Sequence, residues 1–405
     1  MSPLPLLLLA PLLPAQPPAG DRPVAADVVV RNVTLFDGTG KPGVRGALAV
    51  RGDRIVGVGT FKVSGKPRVI DGTGLYAAPG FIDLHTHCDT GSPSIRDEKG
   101  RKNQCYLWQG VTTAVTGNCG AGPVDVAAFY SALEKNGVGT NVAHQVPHNA
   151  VRSRVMGNAN RRPSETELRA MKALVDRGMK DGAWGLATGL IYNPGTYAET
   201  EEIIELARVA AEHGGIYASH IRNEGTGLLA AVEEALRIGR EAKLPVHISH
   251  FKSSGRKAWG KCVDAIALVE QARANGQAVT ADQYPYYASS TSLQATLVPA
   301  RYREGTREQY RQRLDDPELG PRIRKAVEEA LGDDGGQRIL IARYRPKPEW
   351  QGKRLGEVAA AEGKSVLDVA LEIERNGGAQ IVHFSMREED VRIIMKQPFV
   401  ATASD

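Results

Sequence analysis

The sequence is poor in cysteine, and its start carries no charged side chain. Cys88, Cys105, Cys119 and Cys262 are four in 405 residues, too few for a disulfide framework. The first 20 residues, MSPLPLLLLAPLLPAQPPAG, hold no Asp, Glu, Lys or Arg. Their apolar run, Leu6 to Leu13, is too short to span a bilayer, which excludes a transmembrane helix there. Followed by small residues near Ala19 and Ala25, residues 1–20 read as a signal peptide, although their n-region lacks Lys and Arg. The expectation is a periplasmic or secreted protein with no membrane contact after signal removal; a cytoplasmic chain is the alternative if the leader is not a signal. A concentrated basic stripe is also missing. The net charge is +5, and the densest basic stretch, Arg301 to Lys325, is interleaved with Asp and Glu. No nucleic-acid partner is therefore expected. What is present is an ordinary globular balance, 42% hydrophobic and 24% charged.

Residues 26–79 are dense in short alternating runs broken by turns, such as DVVVRNVTLFDGTG, and predict a small antiparallel β module. From residue 80 onward, short apolar runs alternate with helical periods. The runs are Phe81–Leu84, Val111–Thr116, Thr140–Val146, Trp184–Thr188, Ile216–Ser219, Val246–Ser249, Ala278–Ala281 and Phe399–Ala403. Segments between them, such as SETELRAMKALVDRGMK and LLAAVEEALRIGREAKL, carry apolar residues at i, i+3 and i+4. TEEIIELARVAAEHG does the same and opens with Thr200 as its expected N-cap. Eight such runs predict an α/β chain folded as a closed (β/α)8 TIM-type barrel over 80–405. An open doubly wound sheet would want a glycine-rich phosphate loop after its first strand, and GFIDLHTHCD is not one. The stretch from about 289 to 378 has no barrel strand and reads as an insertion after the seventh, either a lid or a passive surface addition.

Polar residues gather at the C-terminal ends of the apolar runs, where barrels carry chemistry. His85 and His87 are two apart, so in a strand both imidazoles face the same way. Such a pair suits one divalent metal. Cys119 ends the second run's loop in TGNCG, with glycines that permit close backbone approach. Taken alone it reads as a buried free thiol; as a thiolate it has lone pairs enough to bridge two cations. His220 and His250 close the fifth and sixth runs, and Asp405 the eighth. His247 is expected to face away from His250 as packing or as support for a ligand. Burying so many polar groups with no ligand would cost roughly 1–3 kcal/mol each.

The segments APGFIDLHTHCD, GVTTAVTGNCG, GLATGLIYNPGTYAET, YASHIRNEG, HISHFK with AWGK, ADQYPY and SD resemble the N-acyl-D-amino-acid deacylases of the metal-dependent amidohydrolase superfamily. The resemblance covers about Asp27 to Asp405. It implies a barrel beside a small N-terminal β-sandwich, and a metalloenzyme that hydrolyses a small-molecule N-acyl amino acid. It implies a tight zinc held by Cys119, His220 and His250, and a weaker second site of His85, His87, Asp405 and the shared Cys119. Asp405 takes the role of catalytic proton carrier. Lys252 and Tyr284 match contacts to the substrate carboxylate, and His148 matches a family position with no assignable role.

Within the superfamily, a deaminase would carry a general-acid Glu three residues after His220. Position 223 is Asn, and Glu224 comes one residue later. A dihydroorotase-like cyclic amidase would keep a bridging Lys at the fourth run, which reads GLATGL. The family pattern also continues past Asp405, with a last barrel helix, return strands of the sandwich and an arginine. On the resemblance these C-terminal elements are missing, and an unstable, weakly active or inactive truncated chain is the remaining alternative.

Overall fold

The computed structural model describes residues 23–91 and 93–405; the signal expected in 1–20 lies outside the described residues. The described residues divide into two compact units, the first ending at Phe81 and the second running from Ile82 to Asp405.

The larger unit is built on eight parallel strands: β1 (Phe81–Asp83), β2 (Val111–Thr116), β3 (Asn141–His144), β4 (Gly185–Gly189), β5 (Ile216–His220), β6 (Val246–Ile248), β7 (Val279–Gln283) and β8 (Val400–Thr402). Ladders run from β1 through β3 and from β4 through β8. Val146-Pro147, just past β3, pairs with β4, and the Asp405 N–H donates to the His85 carbonyl at 2.9 Å to join the last strand to the first. The ring is a TIM barrel. The third apolar run breaks at Gln145 because that residue turns towards the β2 loop: its N–H donates to the Thr116 carbonyl and its Nε2 to Asn118 Oδ1 at 3.0 Å.

Amphipathic helices cover the ring, among them Glu165–Lys180, Thr200–Glu212 and Leu228–Ala242. Their apolar faces join the strands in one core that includes Val175, Leu206, Leu236, Val246 and Val279. Ser164 starts the first of these with a capping box to Glu167, satisfying two backbone N–H groups. Thr200 is not a cap. Glu199 holds the extended cap geometry, and the Thr200 hydroxyl donates to Glu234 instead, at 2.8 Å.

The insertion after β7 has its own architecture. Ser289–Ser292, Ile339–Arg343 and Gln380–His383 form an antiparallel sheet, so it extends beyond residue 378. Helices Arg307–Asp315, Leu319–Leu331 and Val366–Arg375 pack on it over a separate core of Ile323, Ile341, Trp350, Ile373 and Ile381.

The smaller unit is mixed rather than purely antiparallel. Strand Val28–Leu35 pairs antiparallel with Val44–Arg51 but parallel with Arg68–Asp71 and Tyr76–Ala77. The parallel pairs arise because the chain crosses over between Gly59 and Arg68, where Val63-Ser64 pairs with Val24-Ala25. Asn32, at φ 58°, bulges the central strand, a conformation Asn tolerates. No helix among the described residues is long and apolar enough to cross a membrane.

Candidate metal centre

Five strand ends deliver the side chains that meet at the barrel mouth. His85 and His87 lie just beyond β1, where the two-residue period aims both rings inward. His220 is the last residue of β5, and His250 follows β6. Asp405 follows β8. Cys119 sits in the turn Asn118–Gly120 after β2, in a left-handed conformation at φ 53°. The flanking glycines make that turn possible. A Cβ on Gly117 would lie 2.2 Å from the Gln145 carbonyl, and one on Gly120 2.2 Å from Asn149 Oδ1.

The Cys119 sulfur is 3.5 Å from His85 Nε2, 3.5 Å from His220 Nδ1 and 3.6 Å from His250 Nε2. Zinc bonds of about 2.3 Å to sulfur and about 2.1 Å to nitrogen, opened to the tetrahedral angle, place such donors roughly 3.6 Å apart. The donor set fits a cation. Asp405 Oδ1 lies 3.3 Å from His87 Nε2 and 3.5 Å from His85 Nε2. The potential ligands form overlapping groups, Cys119 with His220 and His250, and His85 with His87 and Cys119, with Asp405 joining His85 and His250.

Electrostatics agree with the geometry. Burial alone would raise the Cys119 thiol, but the imidazoles of His85, His220 and His250 outweigh it and hold the pKa well below the ordinary value. Burial likewise opposes ionisation of Asp405, yet His85 and His87 bring it down to about 2. Thiolate and carboxylate are thus both ionised without a metal. Burial opposes protonation of the neighbouring imidazoles, yet Glu224 and Cys119 raise His250 to about 9, and Asp405 and Cys119 raise His87 to about 10.

Two carboxylates that the sequence did not single out support the ligands from behind. Asp282, in β7, is fully buried; its Oδ2 lies 3.3 Å from His85 Nδ1 and 2.7 Å from His247 Nε2. Its Oδ1 accepts the His250 backbone N–H at 2.7 Å, which pins His250 in its strained φ of 36°. His247 thus acts through Asp282, and its Nδ1 lies 2.8 Å from Thr280 Oγ1. Glu224, set aside above as out of register for a deaminase acid, lies 2.9 Å from His250 Nδ1 and 3.8 Å from His220 Nε2. A His250 that offers its Nε2 lone pair to a metal carries its proton on Nδ1, and Glu224 is placed to accept it. Burial opposes the charge on Glu224, but Lys252, His220 and His250 overcome it and keep the carboxylate ionised.

Lys252 is buried, and its ammonium contacts Glu224 and donates to the His250 carbonyl at 2.9 Å. It lies 5.5 Å from the ring centre of Tyr284. Tyr284 faces the cleft, and its hydroxyl is buried with no partner among the described residues. His148 is elsewhere, beside Glu202 at 3.1 Å in a buried cluster with Arg152. The cleft above the centre has a volume of about 790 Å³ and reaches His87, Asp405, Tyr192 and Tyr284. The insertion supplies one wall, through Ser289, Thr291, Val382 and Phe384.

Residues 68–331 match the Amidohydrolase family. D-aminoacylase from Alcaligenes xylosoxydans xylosoxydans is 36% identical over 392 residues, covering 91% of this chain and 72% of the relative. A D-aminoacylase structure described as having a binuclear metal centre superposes with a TM-score of 0.77 at 35% identity, over 94% of this chain and 76% of that one. N-acyl-D-glutamate deacylase from Bordetella bronchiseptica, solved with zinc and a phosphonate mimic of the tetrahedral intermediate, gives a TM-score of 0.78 at 31% identity over the same shares. With the barrel, the likeness across nine-tenths of its length and a centre built on Cys119, this chain belongs to the N-acyl-D-amino-acid deacylases of the amidohydrolase family.

Proposed function

We propose that this protein hydrolyses the amide bond of N-acyl-D-amino acids, releasing a carboxylate and a free D-amino acid. The observation that carries the reading is the Cys119 sulfur set 3.5–3.6 Å from three imidazoles, with the Asp405 carboxylate 3.3–3.5 Å from two histidines of the same cluster. Cys119, His220 and His250 would hold the tighter zinc; His85, His87 and Asp405, sharing Cys119, would hold a weaker second ion. A bound cation supplies Lewis acidity, polarising the acyl carbonyl and acidifying water. Asp405, ionised and at the floor of the cleft, takes the proton of the attacking water and returns it to the leaving amine. Tyr284, whose hydroxyl burial keeps protonated, donates towards an oxyanion of the substrate. Lys252 supplies positive charge behind it for the substrate carboxylate. D-selectivity is proposed from the relatives. So is a secreted or periplasmic location, from the leader; cell fractionation tests it.

The test is metal content and turnover of N-acetyl-D-methionine and its L enantiomer. Cys119→Ala is expected to lose bound zinc and activity together. Asp405→Asn is expected to retain the tighter zinc while turnover falls by at least about 100-fold, the scale of general-base catalysis. A Cys119→Ala protein with full zinc and full activity would falsify the assignment.

A further inference from the structure

A second cleft, of about 730 Å³, opens in the insertion and contains none of the metal-site residues. Its lining includes Arg303, Arg307, Arg343 and Arg345, and a single carboxylate, Glu374. Several cations elsewhere in this lobe are ion-paired, among them Arg324 with Asp368 at 2.8 Å, Lys364 with Glu372 at 2.6 Å, and Arg375 with Asp315 at 2.9 Å. The four arginines of the cleft are not. Arg307, Arg343 and Arg345 make no side-chain hydrogen bond or ion pair among the described residues. Arg303 is only 8% exposed; it donates to the Ile191 carbonyl at 3.0 Å, and its buried Nε has no partner. Glu374 is one carboxylate against these four guanidinium groups. Burial pushes its pKa up to about 7, one oxygen accepts the Tyr310 hydroxyl at 3.0 Å, and the other is unpartnered. Gly377, at φ 113°, leaves room for Arg307: a Cβ there would meet the Arg307 guanidinium at 1.7 Å.

Like charges gathered in a concave lining, here the buried Arg303 beside the exposed Arg307, Arg343 and Arg345, repel one another and focus a positive field. Guanidinium forks match carboxylate and phosphate groups in bidentate geometry. We infer that this cleft is a second binding site, for a small molecule carrying two or more carboxylate or phosphate groups. The cleft shares Ser292 and Gln380 with the substrate cleft, and the two residues are cross-strand partners, so a ligand here abuts the wall of the catalytic site. The inference does not rest on the deacylase reading.

Isothermal titration of the whole 405-residue protein with glutarate and with fructose 1,6-bisphosphate, each in 0.15 M sodium chloride (roughly physiological ionic strength), tests it. Saturable binding of at least one probe is expected, and the stronger probe identifies the group recognised. The exposed pair Arg307→Gln/Arg345→Gln should weaken binding at least about ten-fold, with zinc content and melting temperature unchanged. Arg343→Gln alone serves if the double variant does not fold. Absence of saturation with both probes, or equal affinity in the variants, overturns the site.

Discussion

At the scale of single residues, the centre depends on groups that never touch a metal. Glu224 and Asp282 each face the outer nitrogen of a ligand imidazole, and such partners set ring orientation and basicity. Glu224→Gln and Asp282→Asn preserve shape but remove the charge. Each is expected to lower zinc affinity by about 10- to 100-fold, read by competition with a chromophoric chelator; unchanged affinity would show that neither carboxylate tunes the ligands. These two residues also mark where the sequence stopped being legible. The pair at 85 and 87 could be read because the strand period alone aligns it. Asp282 sits just past the apolar run Ala278–Ala281, near the end of strand VTADQ, and only closure of the sheet places it beneath His85. Glu224 lies in an irregular loop with no period to report its direction, so its proximity to both His220 and His250 was invisible.

At the scale of elements, the turn carrying Cys119 is constrained both by its backbone angles and by its neighbours. Gly117 combines a φ of 81° with a neighbouring carbonyl that leaves no space for a methyl group. Gly117→Ala should cost at least about 2 kcal/mol, from left-handed strain plus the clash, and should displace the thiolate. Gly276→Ala, at φ 85° with nothing within 4 Å, is the control and should cost only about 1–2 kcal/mol with full zinc content. Urea unfolding with metal analysis separates the two; equal losses would remove the steric argument. The barrel strands were readable within a residue or two, because apolar runs separated by amphipathic helices leave few other folds. The insertion was readable as an interruption of the barrel, but its internal sheet was not. Its sheet is made of SSTS, ILIAR and QIVH, and the first of these has no apolar residue to signal a strand. Likewise the parallel pairs of the smaller unit are a property of chain crossover, which residue alternation does not encode.

At the scale of the whole molecule, charge couples metal loading to pH. Without metal, His250 at about 9 and His87 at about 10 hold protons at neutral pH. A cation must displace them, so affinity should climb as pH rises from 6 to 8, by up to about ten-fold per unit for each proton released. Titration of zinc in buffers of different ionisation enthalpy would count the protons; a pH-independent affinity would contradict the protonated imidazoles. The ligands also have a consequence for chain entropy. The Ser404 N–H reaches Asp83 Oδ1 at 3.1 Å across 321 residues, and Asp405 stands beside His85 and His87 at the same seam. An ion shared by these three side chains is a reversible cross-link closing a loop that spans the barrel, as a disulfide would in an oxidised protein. Chelation should therefore unlatch the seam before it melts the sheet, with amide exchange accelerating in Phe81–Asp83 and Val400–Thr402 while Gly185–Gly189 stays protected.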